Sequence, residues 1–505
     1  MKKSVLAIMV GALCIILSSC QETPEESSVV SKVDGISEAA VCEPLKKGEK
    51  RETNVPTHWK FEEKKSNDRV VIQADIKLGE QSIGNLPVIE MQNHELTQEE
   101  LNGLIDYFTD GEELYMPQMV TKDAYQEVLD RISSKEGSYL QSAYSTSIAG
   151  IQNATREGME LAPDEASAPE KMIKFQKKTE DHGVEAARSW MSTELENTDT
   201  EDYFTADVGE DRKAYIEAER YNQEIDNDSS FLWMEGSNFI EEETIETEEM
   251  QSEYYSSFGM DTNGYTEKFH ELADAYRKCM DKITFTEEDG KEQAEQVLED
   301  LGIDGMGLVD SDRTVWFPNG ACSERNGLGL GSDALWQGDL DRGLPGYLYC
   351  FSKSVEGITS VPDGVVAEET VDSYVPPFQV ETISILITEE GIKYFKWDGI
   401  SEEVCTVTEN TKLLPFEKIQ AKLTDQIFYW YSGKGQSAND TTALEYDVVN
   451  AKLQYTYTTA YQEPKHAWLV PAWIFTVRES IGGNSLQELS YVINAYDGSV
   501  IGEAY

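Results

Sequence analysis

Basic residues are scarce in this sequence of 505 residues. Its 42 lysines and arginines stand against 95 aspartates and glutamates, which gives a formal net charge of −53. A field of this sign repels the phosphates of nucleic acids and the headgroups of anionic lipids. The composition therefore argues against nucleic acid as a partner and against electrostatic docking on a membrane. It favours cations, cationic peptides or simple solubility.

Histidine and recognisable catalytic motifs are also scarce. The chain has five histidines. His94-Glu95 and His270-Glu271 begin like zinc-protease helices, but neither pair has the second histidine four residues later. The sequence contains no nucleophile elbow, acyl-transfer Ser-x-x-Lys pair or phosphate-binding loop. We therefore predict no catalytic residue, no metal site and no cofactor.

Cysteine is sparse, and its spacing matches no zinc motif or C-x-x-C pair. Beyond Cys14 and Cys20, the cysteines are Cys42, Cys279, Cys322, Cys350 and Cys405. These five cysteines are an odd number. If the protein is exported from the cell, at least one of their thiols stays unpaired by an intramolecular disulfide, and all can stay unpaired in a reducing habitat. Cys322 with Cys350 is the first pair to test for a disulfide, and unpaired buried thiols are the alternative.

The longest apolar run lies at the N-terminus. Two lysines precede the run from Val5 to Leu17, which is shorter than the roughly 20 residues of a membrane-spanning helix. The following Ser18-Ser19-Cys20 resembles the bacterial lipobox, in which a cysteine after a small residue receives a diacylglycerol. We interpret residues 1–19 as a lipoprotein signal peptide cleaved between Ser19 and Cys20. The alternative is an uncleaved helix with a buried thiol.

This interpretation predicts a protein anchored in the cell membrane on its extracytoplasmic face. Stable anchoring needs more than one acyl chain. A diacylglyceryl group on Cys20 supplies two such chains, for example two palmitates. Residues 20–53 are polar and acidic with few large apolar side chains, which predicts a flexible tether. No later apolar run is long enough to span a membrane, so we expect the remainder to be soluble.

Two capping boxes and three apolar stripes predict helices. Thr97 with Glu100 and Thr286 with Asp289 fit the pattern in which threonine and an acidic residue three positions later cap the first turn. A third helix begins after Pro415. The apolar stripes are Leu101, Leu104, Ile105 and Phe108; Ala294, Val297, Leu298 and Leu301; and Phe416, Ile419, Leu423 and Ile427. Residues 138–189 also read as mostly helical.

Strand-like runs separate these helices. They are RVVIQADIKL, GLVDSDRTVWF, GYLYCFSKSV, VETISILIT, IKYFKWDG, LQYTYTTAY, HAWLVPAWIFTV and YVINAYDGSVI. Residues 200–262 alternate only weakly, and their run FIEEETIETEEMQSEYY is typical of an exposed face or loop.

The order of the elements predicts an α+β fold of repeated helix-on-antiparallel-sheet units, with a helical insertion in the N-terminal half. We predict an N-terminal α+β domain with a helical segment over 54–285. We predict a C-terminal α+β domain of two helix-plus-sheet units over 286–505.

The end of the chain carries a family resemblance. Three segments resemble the C-terminal ends of PepSY-like domains and of the extracytoplasmic YycI-type accessory proteins of a cell-wall histidine kinase. These segments are LLPFEKIQAKL, AWLVPAWIFTV and YVINAYDGSVI. The lipobox, tether and VPTHW strand start also resemble an uncharacterised family of lipoproteins from Gram-positive anaerobes. These resemblances imply a membrane-anchored, non-enzymatic interaction or inhibitory module. They transfer no catalytic residue.

Three functional hypotheses follow. The leading hypothesis is a surface lipoprotein that acts by contact with an envelope protein, with Trp468 and Trp473 on opposite faces of one strand as candidate contact residues. The second is capture of a saccharide or peptide by exposed tryptophans. Those tryptophans would come from Trp59, Trp233, Trp316, Trp336 and Trp430. The third is an unrecognised hydrolase with two facing carboxylates, one of raised pKa.

Replacing Cys20 with serine should abolish lipidation, because serine has no thiol to form the thioether. Metabolic labelling with a tagged fatty acid should mark the wild-type protein and the control C405S but not C20S. A labelled C20S protein, or a wild-type product that keeps residues 1–19, would contradict the prediction.

Overall fold

Contacts within the chain divide it into two units. Unit 1 combines Met1–Met91, Val355–Val361 and Glu403–Tyr505, and unit 2 combines Gln92–Ser354 and Pro362–Glu402. A computed structural model of the chain describes residues 35–65, 69–78, 82–116, 121–132, 152–153, 156–165, 174–177, 202–209, 214–220, 229–236, 238–246, 265–317, 343–362, 365–366, 378–433, 443–461, 463–481 and 484–501.

Strands dominate these described ranges. The first eleven are β1 (Arg51–Glu52), β2 (His58–Lys65), β3 (Val70–Lys77), β4 (Ser82–Ile83), β5 (Val88–Asn93), β6 (Leu114–Tyr115), β7 (Gln176–Lys177), β8 (Asp202–Val208), β9 (Ala214–Arg220), β10 (Ser229–Glu235) and β11 (Asn238–Glu241). The others are β12 (Met306–Phe317), β13 (Leu344–Val355), β14 (Ile358–Thr359), β15 (Val365–Val366), β16 (Phe378–Gln379), β17 (Thr382–Thr388), β18 (Gly391–Asp398), β19 (Ser401–Thr408), β20 (Leu444–Ala460), β21 (Glu463–Ile481) and β22 (Asn484–Asn494).

The described ranges contain five longer helices, three of which start where the two capping boxes and Pro415 predict. They are α1 (Gln98–Thr109), α2 (Lys122–Ile132), α3 (Tyr265–Met280), α4 (Glu287–Asp300) and α5 (Phe416–Gly433). Both capping boxes are present, since Thr97 and Glu100 cap α1 and Thr286 and Asp289 cap α4. Each box satisfies two backbone N–H groups that a helix start leaves without an intrahelical acceptor.

The larger sheet has eleven strands, and its main path runs β11-β12-β13-β17-β18-β10-β9-β8-β6. Neighbouring strands along this path are antiparallel. Helices α1 and α4 share one hydrophobic core with it, in which Leu104 and Phe108 of α1 and Val297 of α4 meet Phe231 and Trp233 of β10. The apolar stripe of each helix faces this core, and the acidic faces remain in solvent.

The smaller sheet belongs mainly to unit 1, and its seven strands run β19-β5-β21-β20-β3-β2, with β22 beside β21. Helix α5 buries Ile419, Leu423 and Ile427 against this sheet, in one core with Tyr446 and Trp473. Strand β20 pairs with β3 in parallel, with residues 444–448 opposite residues 70–74. The two ends of the sequence therefore complete one sheet.

Because of this pairing, the two units have different boundaries from the domains predicted at 54–285 and 286–505. The sequence suggested two successive domains, whereas the contacts join strands from before residue 92 to strands from after residue 402. The reason is physical, since the apolar side chains of β3 need a neighbouring strand, and β20 provides it.

Part of the predicted tether over 20–53 is folded onto unit 1. Residues Glu38–Ala40 form a 3₁₀ helix. The backbone N–H of Cys42 donates to Asn410 O at 3.2 Å, and Lys412 N–H donates to Ala40 O at 2.8 Å. Ala40 is buried. The described residues 35–53 are therefore held by hydrogen bonds rather than forming a free linker.

The predicted α+β class is confirmed, and its repeated helix-on-sheet units stay a prediction. Every strand-like run quoted above contributes to a strand, although only residues 491–494 of YVINAYDGSVI belong to β22. The apolar stripes form the buried faces of α1, α4 and α5, with Leu301 half-buried at the end of α4. The weakly alternating residues 200–262 contain β8 to β11, and the run expected to be an exposed face or loop begins within β11. Most of the predicted helical segment at 138–189 lies outside the described residues, as do residues 1–34. Among the helices that are described, none is long and apolar enough to cross a membrane.

Gly290 offers a test of the packing between α4 and the larger sheet. An added Cβ would overlap the Tyr349 hydroxyl, which donates to Glu287 O at 2.7 Å. Overpacking of this kind costs about 1–3 kcal/mol, so G290A should lower the free energy of unfolding by that amount in urea denaturation. The control G103A lies in α1, where an added Cβ meets no atom within 4 Å. It should stabilise by up to ~1 kcal/mol, because alanine favours helix over glycine. Equal effects of the two substitutions would contradict the packing described.

Candidate binding cleft

A cleft of about 630 Å³ opens in unit 2 beside helix α1. This volume falls within the range of about 300–1,000 Å³ that is typical of ligand pockets. Three segments line it: α1 with the residues before it, the end of α4 with the following turn, and the end of β18 with the residues after it. The lining residues are His94, Leu96, Glu100, Gly103, Leu104, Asp106, Tyr107, Asp300, Leu301, Gly302, Ile303, Trp397 and Ile400.

The floor of the cleft is apolar and belongs to the core of the larger sheet. Leu96, Leu104 and Ile400 are buried, and Ile303 and Trp397 pack partly buried against them. The apolar surface that the floor still exposes to solvent therefore comes mainly from Ile303 and Trp397. An apolar group that covers it would remove further apolar surface from water.

The rim of the cleft is acidic. Glu100, Asp106 and Asp300 are exposed carboxylates, and no lysine or arginine is among the described residues that line the cleft. Gly103 lies between them on α1, where an added Cβ would meet nothing within 4 Å. The helix surface is consequently bare at that point.

His94 joins two carboxylates at one end of the cleft. Its Nε2 lies 2.9 Å from Glu100 Oε1, and its Nδ1 lies 3.5 Å from Glu402 Oε2. Partial burial of Glu100 would raise the pKa of its carboxyl group, but hydrogen bonds from the Thr97 side chain and backbone and from His94 outweigh it and lower that pKa. Glu100 therefore stays ionised at neutral pH.

Tyr107 and Asp300 are hydrogen-bonded to each other in the wall of the cleft. Burial and the negative charge of Asp300, with which Tyr107 is hydrogen-bonded, raise the pKa of the Tyr107 phenol. The phenol thus stays protonated at neutral pH and acts as a donor. Asp300 also accepts a hydrogen bond from Gln296 Nε2 at 2.8 Å.

A buried carboxylate beneath the cleft fixes the ring of Trp397. Glu381 is fully buried, and its Oε1 accepts from Trp397 Nε1 at 2.8 Å. Its Oε2 accepts from Ser401 Oγ at 2.6 Å and lies 2.9 Å from Lys353 Nζ. The hydrogen bond to Glu381 holds the indole of Trp397 in place. The three donors together satisfy the Glu381 carboxylate, because a buried charge without hydrogen-bonding partners would be costly.

The predicted contact residues lie in packing positions. Trp473 is 1% exposed and packs against Phe416 and Phe475 in the core of unit 1. Trp468 is half-buried, and its Nε1 donates to Glu90 at 3.4 Å. The alternating pattern put the two rings on opposite faces of β21, but both faces of this central strand are covered. Trp473 is therefore a core residue and offers no exposed contact surface. Ser19 and Cys20 lie outside the described residues.

The tryptophans proposed for ligand capture are also used in packing. Trp59, Trp233 and Trp316 are buried. Trp59 Nε1 donates to Gln420 at 2.8 Å, and Trp316 Nε1 donates to Glu235 O. Trp430 is half-buried, and Trp336 lies outside the described residues. Trp397, which the sequence did not single out, is the tryptophan that lines the cleft.

Two carboxyl groups with raised pKa lie on neighbouring strands of the larger sheet. Burial and the charges of Asp312 and Glu243 raise the pKa of Glu241 on β11. Burial and the charges of Glu243 and Asp310 raise the pKa of Asp312 on β12. Neither residue lines the cleft. The part of the chain that is described contains no group of three or more His, Cys, Asp or Glu that could hold a metal ion.

The described cysteines differ in environment. Cys279 is buried and donates to Gly343 O at 3.4 Å. Cys42 accepts from Arg51 Nη1 at 3.3 Å, and Cys405 is exposed on β19. Cys322 lies outside the described residues, so its pairing with Cys350 stays a prediction.

Comparison with known proteins finds solved structures that match at low sequence identity and low TM-score. No family model matches the chain, and no curated protein matches it. An uncharacterised protein from Eubacterium rectale ATCC 33656 is similar at 11% identity and a TM-score of 0.42, over 88% of this chain and 94% of that one. The C-terminal domain of Bacillus megaterium YpeB is similar at 11% identity and a TM-score of 0.21, over 65% of this chain and 98% of that one.

Replacing Glu381 with glutamine should destabilise unit 2. Glutamine has one acceptor oxygen, so at least one of the donors on Trp397, Ser401 and Lys353 would face an amide NH₂ group. Breaking a buried pair costs roughly 3 kcal/mol, which denaturant unfolding would measure. The control D398N removes the exposed Lys396–Asp398 pair at 2.6 Å and should cost less than about 1 kcal/mol. An E381Q protein as stable as D398N would refute the role of Glu381.

Proposed function

We propose that this protein is a membrane-anchored, extracytoplasmic lipoprotein that acts without catalysis, by binding a partner protein of the cell envelope. The cleft of unit 2 is its contact site. The observation that carries the proposal is the combination of an apolar floor with an acidic rim in one open cleft. The anchor at Cys20 rests on the lipobox-like sequence alone.

The groups of the cleft suit recognition better than bond cleavage. Glu100 is held ionised by Thr97 and His94, and Tyr107 is kept protonated beside Asp300. These groups have fixed charge and fixed hydrogen-bond partners, which gives a rigid surface for a partner. A carboxyl that acts as a general acid at neutral pH needs a raised pKa, and the two described carboxyls named above with a raised pKa, Glu241 and Asp312, lie outside the cleft.

Site-specific photo-crosslinking in intact cells tests this function. Gly103 lines the cleft, and the Cβ of a photoreactive phenylalanine placed there would meet no atom within 4 Å. The same residue at Glu99, an exposed position of α1 outside the cleft, is the matched control. We expect discrete adducts with envelope proteins from position 103 and none of these from position 99.

The same adducts from both positions, or none from position 103, would contradict a contact site in the cleft. The C20S variant should lose the adducts, because the unanchored protein no longer concentrates at the membrane.

A further inference from the structure

We infer that the cleft receives a lysine or arginine side chain of the partner polypeptide. This inference rests on the proposed function and names the chemistry of the group that binds. Such a side chain has an apolar stem and a cationic head. The cleft has both matching parts within one volume of about 630 Å³.

The floor matches the stem. Lysine and arginine bury their methylene groups along apolar surfaces while the charged head stays near water. Leu104, Ile303 and Trp397 provide such a surface between the core and the rim. A purely apolar ligand would gain the same contacts but would desolvate the rim carboxylates without pairing them.

The rim matches the head. Glu100, Asp106 and Asp300 each bring a carboxylate, and the described lining contains no lysine or arginine beside them. His94 carries a positive charge only when protonated. The net charge of −53 adds a long-range field that attracts cations and repels anions. Charge complementarity therefore selects a cation as the occupant.

Trp397 adds a face on which a cation can lie. Indole rings attract ammonium and guanidinium groups through their quadrupole. The same chemistry already occurs within unit 2, where Lys393 Nζ lies 4.7 Å from the centroid of Trp316. That ammonium also pairs with Glu235 at 3.0 Å and Glu390 at 3.2 Å. The lining of the cleft likewise includes a tryptophan and several carboxylates, and no lysine is among its described residues.

The bare helix surface at Gly103 favours a polypeptide over a free amine. A partner backbone can approach α1 there, since Gly103 lies between Glu100 and Asp106 in the sequence of α1 and a Cβ at its position would meet nothing within 4 Å. A free diamine shares the cationic chemistry but has no backbone to use this approach. Separate arms of the experiment distinguish the two sources.

Calorimetric titration of the full chain at low salt tests the inference. The probes are capped pentapeptides of alanine with a central arginine, lysine, norleucine or glutamate, and the free diamine 1,5-diaminopentane. We expect the arginine and lysine peptides to bind at least roughly fivefold more tightly than the norleucine peptide, because each of several rim charges contributes. The glutamate peptide should not bind, and the diamine should bind more weakly than the lysine peptide.

Paired variants locate the effect in the cleft. The double substitution D106N/D300N removes two rim charges with little change of shape. We expect it to lower the affinity for the arginine peptide by roughly fivefold to tenfold. The control E99Q/E299Q removes two charges from the same helices, at exposed positions outside the cleft. It should change the affinity by less than about twofold, because solvent and salt screen charges at a distance. Thermal unfolding of both variants checks that they fold.

Three outcomes would overturn the inference: equal binding of the norleucine and lysine peptides, unchanged affinity in D106N/D300N, or equal loss in both double variants. Diamine binding as tight as that of the lysine peptide would reassign the site to free amines. Crosslinks from position 103 that persist after such a result would leave the contact function standing. Their absence would remove both proposals.

Discussion

The parallel pairing of β3 with β20 is the constraint on which unit 1 depends. It sets residues 70–74 beside residues 444–448, and antiparallel neighbours then extend the sheet to β2 on one side and to β21 and β22 on the other. Helix α5 closes one face of this sheet through Ile419, Leu423 and Ile427. Closing so long a loop costs conformational entropy, and the apolar burial of β3 and β20 offsets that cost. A truncation before β20 would leave β3 without this neighbour.

Local features of the fold were predictable, and features that join distant segments were not. The starts of α1 and α4 follow from capping boxes in which both partners lie within four residues. Strands β8 and β9 were missed because several of their buried residues are small, such as Ala206, Ala214 and Ala218. Alanine is only weakly apolar, so the two faces of each strand differ little in hydrophobicity. The two-unit division was missed because pairing across hundreds of residues leaves no local periodicity.

The candidate cleft escaped prediction for the same reason. Its residues come from 94–107, 300–303 and 397–400, and each segment alone has a simpler explanation. Glu100 is explained as a helix cap, and Leu104 as part of a core stripe. Trp468 and Trp473 drew attention because large aromatic residues in a strand can serve either a core or a surface. Their burial depends on which elements cover β21, and the sequence of that strand does not specify them.

If Cys20 carries a lipid, the folding of residues 35–53 onto unit 1 limits how far the described part of the protein can lie from the membrane. If the lipid is on Cys20, only the stretch from there to residue 35 separates the bilayer from the first residue held by the body. A chain gains at most about 3.3–3.6 Å per residue, so this leash spans no more than ~50 Å even when fully stretched. The body would then search a thin layer next to the lipid surface. A partner would then lie within that reach of the lipid surface plus the breadth of the folded body itself.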